Sequence, residues 1–393
     1  MPWEFKKVED KRRELIEAYM NGSSMTELCK TYRVSRKTAY KWFNRCLEKG
    51  LEEGLKDLSK APHEPVRKFT DEHLERAIDL KLKKRTWGPK KILAKLEEKY
   101  PQEEWPSATW LYEVFKEQHL VTARRLRRKV PATHPLGEVN DSNDVWMADF
   151  KGWFLTRDGA KCEPLTVTDG HTRYLIKCIH VEKKSSEYIW PIIEEAFREY
   201  GLPNRIRTDN GPPFGCLGIG RLTRLSINLI KAGVLPEWIN PGHPEENGRH
   251  ERFHATLKQA VAKPPAENLK DQIVRMKTFQ EEYNYERPHE ALGQETPGKH
   301  YYSSIRQWDG VLRKPEYDTK KMKVRKVCQN GNIWINQKEY YVGQILTGEY
   351  VGMKETAEED VEVYYVPVYL GKLRKGIGIE RPKMQLKKIV RRA

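Results

Sequence analysis

The chain is short of cysteine, of long apolar runs and of acid. Six cysteines (Cys29, Cys46, Cys162, Cys178, Cys216 and Cys328) are scattered over 393 residues without a CxxC pair. Structural zinc sites and disulfide frameworks need closely spaced cysteines, so both are excluded as organising features. The thiols read as buried or inert groups of a reducing cytosol. No run of about 18 apolar residues exists, which excludes a membrane-spanning helix. The opening MPWEFKKVEDKRR has no apolar segment behind its charges, so a secretory signal is not expected. Acid is the scarcer charge: 56 Asp and Glu stand against 72 Lys and Arg, a net +16. An excess of that size favours a polyanion as partner. The length suffices for roughly two to four domains.

What is present begins with helices. Val8, Leu15, Ile16 and Tyr19 form a stripe over Val8–Met20, and Asn21-Gly22 closes it. Ser24 and Glu27 have the spacing of a capping box that would open a helix from Met25 to Tyr32. After the turn Arg33-Val34-Ser35, Ser35 would cap a third helix from Arg36 to about Glu48. Two helices joined by so short a turn, the second bearing Arg36, Lys37, Tyr40 and Lys41, read as a helix-turn-helix whose early residues meet DNA. Residues 51–67 contain Pro62 and Pro65 without periodicity and read as a linker. Helical patterns follow over 71–84, 90–100 and 107–115. Then comes a basic run in which Arg124, Arg125, Arg127, Arg128 and Lys129 crowd six positions, suited to phosphates.

From Val145 the pattern changes. An apolar, aromatic strand is expected over 145–155, a hairpin turn at Arg157–Gly159, strands over 163–168 and 174–181, and a helix from Ser186 to Tyr200. A short strand, Arg205–Thr208, delivers Asp209. A helix over 217–231 and a strand over 237–240 follow. Pro241–Gly248 is a turn, and from Arg249 nothing breaks a helix before Pro264. Glu251, Ala255 and Lys258 share one face of that helix. A long amphipathic helix spans 268–285. Beyond Tyr317, period-two segments over 331–336, 339–342, 349–353 and 361–369 argue for a small β-barrel or sandwich.

Four ordered motifs carry a resemblance: VWMADFKGWF around Asp149, RIRTDNGPPF around Asp209, NGRHERFHATLK around Glu251 and YNYERPHEALGQETP at Tyr283–Pro297. Over roughly 140–302 the chain resembles the catalytic core of the retroviral-integrase and insertion-sequence transposase superfamily. That resemblance implies a ribonuclease-H-like α/β core, Asp149, Asp209 and Glu251 as catalytic triad and metal ligands, and Lys258 as a DNA-contacting lysine. The segment SxxELCxxYxVSRKTxYKW, Ser24 to Trp42, resembles the helix-turn-helix of insertion-sequence transposases, and the second helical unit resembles another. The organisation expected is a helix-turn-helix domain over 1–60, a second helical unit over 66–121, a basic linker over 122–139, the core over 140–302, a small β-barrel over 315–375 and a basic tail over 376–393.

The chemistry suits the residue types. Cleaving a phosphodiester requires charge neutralisation at phosphorus and activation of a weak nucleophile. Two divalent ions about 3.5–4 Å apart can supply both. Mg²⁺ or Mn²⁺ prefers carboxylate oxygens, and three carboxylates suffice if Asp149 bridges two ions. Spacing alone would favour Glu245, 36 positions after Asp209, over Glu251, which is 42 after it. The NGxxER context and the following Lys258 select Glu251. Asp169 reads as a turn residue, and His250 and His254 as either DNA contacts or helix-surface residues. The family implies a cytoplasmic, nucleoid-associated prokaryotic protein acting on double-stranded DNA, both element ends and target, as at least a dimer on paired ends. The alternatives are a catalytically silent DNA-binding regulator and a ribonuclease H acting on hybrids.

Overall fold

A computed structural model describes residues 8–58, 69–121, 136, 138–240, 248–356, 360–374 and 378–380. The chain divides into two compact units, Met1–Thr70 and Asp71–Ala393. In the first, helices α1 (Val8–Met20), α2 (Met25–Thr31), α3 (Arg36–Lys49) and α4 (Leu51–Leu55) surround Leu15, Ile16, Leu28, Ala39, Cys46 and Leu55. Ser35 caps α3 as expected, its hydroxyl accepting the Thr38 N–H at 3.1 Å. Ser24 makes no side-chain cap bond, so the expected capping box is not formed. Helix α4 occupies a stretch expected to be linker. Five residues are too few to show a period, and what holds them is contact. A Cβ on Gly54 would lie 2.6 Å from Cys46 Cα, and Leu55 is buried.

The second unit opens with α5 (Asp71–Lys83), α6 (Pro89–Lys99) and α7 (Ala108–Glu117). Pro89 starts α6 where a missing N–H costs nothing, and the Ser107 hydroxyl caps α7 by accepting the Trp110 N–H at 3.2 Å. Ala77, Trp87, Ile92, Leu96, Leu111 and Phe115 form the core of this bundle.

Strands β1 (Val145–Phe150), β2 (Phe154–Leu155), β3 (Lys161–Cys162), β4 (Pro164–Asp169) and β5 (Leu175–His180) come next, then α8 (Ser186–Tyr200), β6 (Arg205–Thr208), α9 (Arg224–Lys231), β7 (Leu235–Trp238), α10 (Gly248–Val261), α11 (Leu269–Glu281) and α12 (Pro297–His300). The five-stranded sheet has the order β5-β4-β1-β6-β7. Strands β5, β4 and β1 run antiparallel, and β1, β6 and β7 parallel. This is the mixed α/β core expected. The single strand expected over 145–155 is interrupted, because Gly152 at φ +82° turns the chain out of extended geometry. The helix expected over 217–231 shrinks to α9 behind a short 3₁₀ turn, Ile219–Arg221. The long helix expected over 268–285 ends at Glu281 and passes into a π-turn, Glu282–Glu286.

Strand alternation sends each residue class to one layer. Trp146, Ala148, Leu165, Val167 and Ile176 pack with Ile189, Ile193 and Phe197 of α8 and with Leu225 and Leu229 of α9. On the other face Leu175 and Cys178 meet Phe253, Leu257 and Val261 of α10 and Met276 and Phe279 of α11. Asp149 and Thr166 alternate onto this α10 face.

The last elements are β8 (Lys323–Lys326), β9 (Asn332–Ile335), β10 (Lys338–Tyr341), β11 (Tyr350–Glu355), β12 (Val361–Tyr365), β13 (Val368–Arg374) and β14 (Gly378–Glu380). They make an open sheet, β14-β13-β12-β11-β8, and a separate β9–β10 hairpin. The small barrel expected here is therefore not closed among the described residues. One strand expected over 361–369 is two, β12 and β13. Ile333, Val351, Val363 and Leu370 share their core with Ile219, Leu222 and Ile227, so the β elements lean on α9 and the turn before it. No helix among the described residues is long and apolar enough to cross a membrane.

Candidate active site

Strand β1 carries Asp149 near its C-terminal end, and β6 delivers Asp209 just past its own. The two strands pair in parallel, with Val145, Trp146 and Met147 opposite Arg205, Ile206 and Arg207. Asp149 stands two residues beyond Met147, the last residue of β1 that pairs with β6, and Asp209 follows Thr208 at the end of β6. Both carboxylates are half-buried. One Asp149 oxygen accepts the Phe150 N–H at 2.7 Å. Asp209 accepts the Gly211 N–H at 3.2 Å. Burial pushes the Asp209 pKa up, partly offset by that N–H and by the charge of Lys184. A carboxylate short of solvation in this way is stabilised by a nearby cation.

Helix α10 lies against β1 and β4. Its buried face is His250, Phe253, His254, Leu257 and Val261, and its exposed side includes Glu251, Ala255 and Lys258. The histidines pin the first turn to the sheet. Thr166, directly opposite Asp149 on β4, has its hydroxyl 2.8 Å from His250 Nε2 and 2.8 Å from His254 Nε2. That hydroxyl also donates to the Asp149 carbonyl at 3.1 Å. A hydroxyl has one hydrogen, and a carbonyl can only accept. With the hydrogen given to Asp149, both Nε2 atoms must be donors. His254 Nδ1 then carries a lone pair, and it lies 3.8 Å from Asp149 Oδ2. Burial, followed by the charge of Lys151, pushes the His254 pKa down to about 3. Burial, then His254, drives that of His250 well below its ordinary value. Both rings are neutral. They are not helix-surface residues, one of the two roles expected for them: His250 is 1% and His254 9% exposed.

One donor set converges among the described residues, and the three expected acids are not brought together in such a group. Asp149, His250 and His254 have ligand atoms within 4.8 Å of one another. Asp209 lies just past the end of β6, and Glu251 projects from the same helical turn as the histidines but on its exposed side. The hard oxygens of Asp149, Asp209 and Glu251 suit Mg²⁺ or Mn²⁺, and His254 Nδ1 adds a softer neighbour.

Cations ring the acids. Burial first, then the charge of Lys258, lowers the Lys151 pKa, while Asp149 raises it. Lys258 and Lys151 thus share the electrostatic surroundings of Asp149. Lys184 Nζ lies 2.5 Å from a Glu163 oxygen and 4.7 Å from the centre of the Phe150 ring. Sequence reasoning passed over Lys151, Lys184 and Thr166. Only Lys151 left a signal, since it is two residues after Asp149 on an extended segment.

Of the other expected site residues, Arg36, Lys37, Tyr40 and Lys41 are all exposed on α3. Arg36 is tied to the Thr26 hydroxyl of α2, and the Tyr40 ring meets Tyr19 of α1 edge-on at 6.2 Å. Arg124, Arg125, Arg127 and Arg128 lie outside the described residues, as does Glu245. Asp169 serves its turn: 1% exposed, it accepts from the N–H groups of Asn143, His171 and Thr172 and from the Thr172 hydroxyl.

Family models match in three places. The integrase core domain matches residues 232–297, which include Glu251 and the Tyr283–Pro297 signature. A homeodomain-like domain matches 38–115, and a helix-turn-helix domain 11–63. Among curated proteins, the insertion element IS407 uncharacterized 31.7 kDa protein of Burkholderia multivorans is 25% identical over 192 residues, 48% of this chain and 67% of that protein. The insertion element IS476 uncharacterized 39.2 kDa protein of Xanthomonas euvesicatoria is 25% identical over 205 residues, 50% of this chain and 56% of that protein. Solved structures with some likeness include the simian T-cell lymphotropic virus intasome in complex with PP2A regulatory subunit B56 gamma, 14% identical, covering 70% of this chain and 97% of that one at a TM-score of 0.37. The catalytic core domain of HTLV-2 integrase in complex with magnesium is 18% identical, covering 42% of this chain and 99% of that one at a TM-score of 0.32. The chain thus combines matches to an integrase core domain and to helix-turn-helix domains with similarity to proteins of two bacterial insertion elements, which supports an insertion-sequence transposase with an integrase-type core.

Proposed function

We propose that the chain binds the ends of its element, cuts the DNA there and joins the 3′ ends to a target duplex. One observation supports the reading best: Asp149 of β1 lies against the first turn of α10, which bears Glu251, and β6, the parallel neighbour of β1, leads into Asp209. Asp149, Asp209 and Glu251 would hold two Mg²⁺ or Mn²⁺ ions, which when bound neutralise charge at the phosphate and activate the attacking oxygen. The chain's own residues do the rest. Pairing with Thr166 on β4 holds the Asp149 backbone, and the His250–Thr166–His254 contact fixes the turn from which Glu251 projects. Lys151 and Lys258 supply positive charge where a DNA phosphate would approach. Lys184 keeps a cation beside Asp209.

Sequence selection falls to α3, where Arg36, Lys37, Tyr40 and Lys41 face solvent and would enter the major groove. Arg124, Arg125, Arg127 and Arg128 would meet phosphates. An element has two ends to be cut in concert, and each chain has one such site, so the active form is at least a dimer on paired ends. The test is incubation of the full chain with end-containing duplex and Mg²⁺. Wild type should nick and join. Asp149→Asn should bind the duplex as tightly and do neither. Wild-type binding without nicking, in either Mg²⁺ or Mn²⁺, would instead identify a DNA-binding regulator, and cleavage of any RNA–DNA hybrid without element ends would identify a ribonuclease H.

A further inference from the structure

The Tyr283–Pro297 signature is needed for none of the roles above, yet it organises a seam in the second unit. The α5–α7 bundle rests on it. Lys84 Nζ lies 3.2 Å from Glu282 and 2.8 Å from Glu286, and Lys90 Nζ lies 2.6 Å from Glu290. Lys91 donates to the Pro288 carbonyl, and Arg287 reaches the Thr86 hydroxyl at 3.4 Å.

At this seam a cavity of about 210 Å³ opens. Its wall carries Lys91 from α6, Arg173 from the turn between β4 and β5, Arg249 and Arg252 from α10, and Arg287 from the signature. The carboxylate in the lining is Asp169, whose oxygens are already taken by the N–H groups of Asn143, His171 and Thr172 and by the Thr172 hydroxyl. Five basic side chains therefore share this lining with a single carboxylate. Arg287 is only 8% exposed. Burial, followed by the charge of Arg287, lowers the Lys91 pKa to about 8, and burial followed by Arg249 lowers that of Arg173. Like charges crowded into a half-buried space are costly unless an anion joins them. Arg173 also holds its backbone at φ +68°, a conformation most residues avoid.

The floor of the cavity includes Met147 and Thr168, cross-strand partners on β1 and β4. They face the same side of the sheet as Asp149 and Thr166, one pair earlier on β1, roughly 7 Å away along the strand. An anion held here sits beside the acids, on the side facing the helical bundle. Arginine forks suit a phosphate better than any neutral group.

We propose that this cavity takes a single backbone phosphate of the element-end DNA, so that the signature segment ties the second helical bundle, the bound end and the acids together. The proposal rests on the reading that the chain binds element ends, and its test is arranged to fail separately. The probe is end-containing duplex, the protein is the full chain, and EDTA suppresses chemistry. Arg249 and Arg252 are exposed, so Arg249→Gln, Arg252→Gln and the double variant should fold. Salt dependence of binding is measured for each. The slope of log affinity against log salt should fall by about 0.9 in the double variant, the value of one duplex phosphate.

Duplexes bearing one neutral methylphosphonate at successive positions then identify the contact. One position should weaken wild type several-fold and leave the double variant unaffected. Wild-type slopes in the variants would overturn the proposal, as would a fall of about 1.8, which would mean a diffuse patch. So would the absence of any methylphosphonate position that separates the two proteins. Loss of self-association by light scattering, with DNA binding intact, would overturn it in favour of an acidic segment of a second copy. Failure of the transposase reading shows elsewhere, in wild type that binds ends but does not nick them in Mg²⁺.

Discussion

Replacing Thr166 with Val should loosen the first turn of α10 from the sheet. The side chain is fully buried, and its hydroxyl sits 2.8 Å from each histidine Nε2. Val keeps the shape and removes the oxygen. Two buried imidazole N–H groups lose their acceptor, at about 1–3 kcal/mol each. Neighbours relax, so a net loss of about 2–4 kcal/mol is expected. Thr166→Ser keeps the hydroxyl and gives up one methyl, about 1 kcal/mol. Urea unfolding followed by tryptophan fluorescence, to which the buried Trp146 of the same sheet contributes, reads the difference in the core transition. Amide hydrogen exchange in α10 reads where the loosening lies, and the first turn should lose protection in the Val variant alone. Nicking should fall at least tenfold in Thr166→Val, since about 1.4 kcal/mol of lost positioning already costs that factor. Thr166→Ser should stay near wild type. Equal midpoints and equal activities for the two variants would refute the view that this hydroxyl holds the turn bearing Glu251.

His289 supplies a pH signature away from the acids. Burial, then Lys91, Arg287 and Arg173, lower its folded pKa to about 3, against about 6.5 unfolded. The unfolded chain therefore takes the proton first, so stability is unaffected above about pH 6.5 and falls as pH drops from there towards 3, by at most about 1.4 kcal/mol per unit. Comparing His289→Asn with wild type by urea titration should show that slope shrink by one proton, and parallel curves would contradict it. Gly54→Ala should destabilise the N-terminal unit by about 1–3 kcal/mol, because the new Cβ would lie 2.6 Å from Cys46 Cα, backbone that no rotamer change relieves. A thermal melt of that unit is the check, and an unchanged midpoint would show that α4 shifts freely. Lys37→Ala should cost about 1–3 kcal/mol on end DNA and little on random DNA, whereas neutralising Arg124, Arg125, Arg127 and Arg128 should weaken both alike and flatten the salt slope. The reverse pattern in a binding titration would move sequence reading to the α5–α7 bundle.

Much of this protein is written locally in its sequence. The stripe Leu15, Ile16, the Ser35 cap and the Asn21-Gly22 stop bound the first helices, because helix signals act over three or four neighbouring residues. Arg205–Thr208 emerges as a strand within its expected bounds, with Asp209 just past its end. The four motifs also ordered the acids along the chain before any of them had a place in space. Where local signals thinned, expectation slipped. Helix α4 is too short to show a period, Gly152 breaks a strand whose residues look continuous, and the C-terminal strands pair into an open sheet whose closure no period-two pattern can specify.

Tertiary structure alone decided the rest. In sequence His250 and His254 are two polar residues beside an acid, on a helix that could face either way. They are buried because Thr166, a strand residue more than eighty positions earlier, offers one hydroxyl to both. The basic cavity is the same case. Lys91, Arg173, Arg249 and Arg287 come from four separate segments, and no spacing rule links them. Burying a polar or charged group depends on which distant partner arrives to satisfy it, and the sheet order and the docking of the helical bundle settle that.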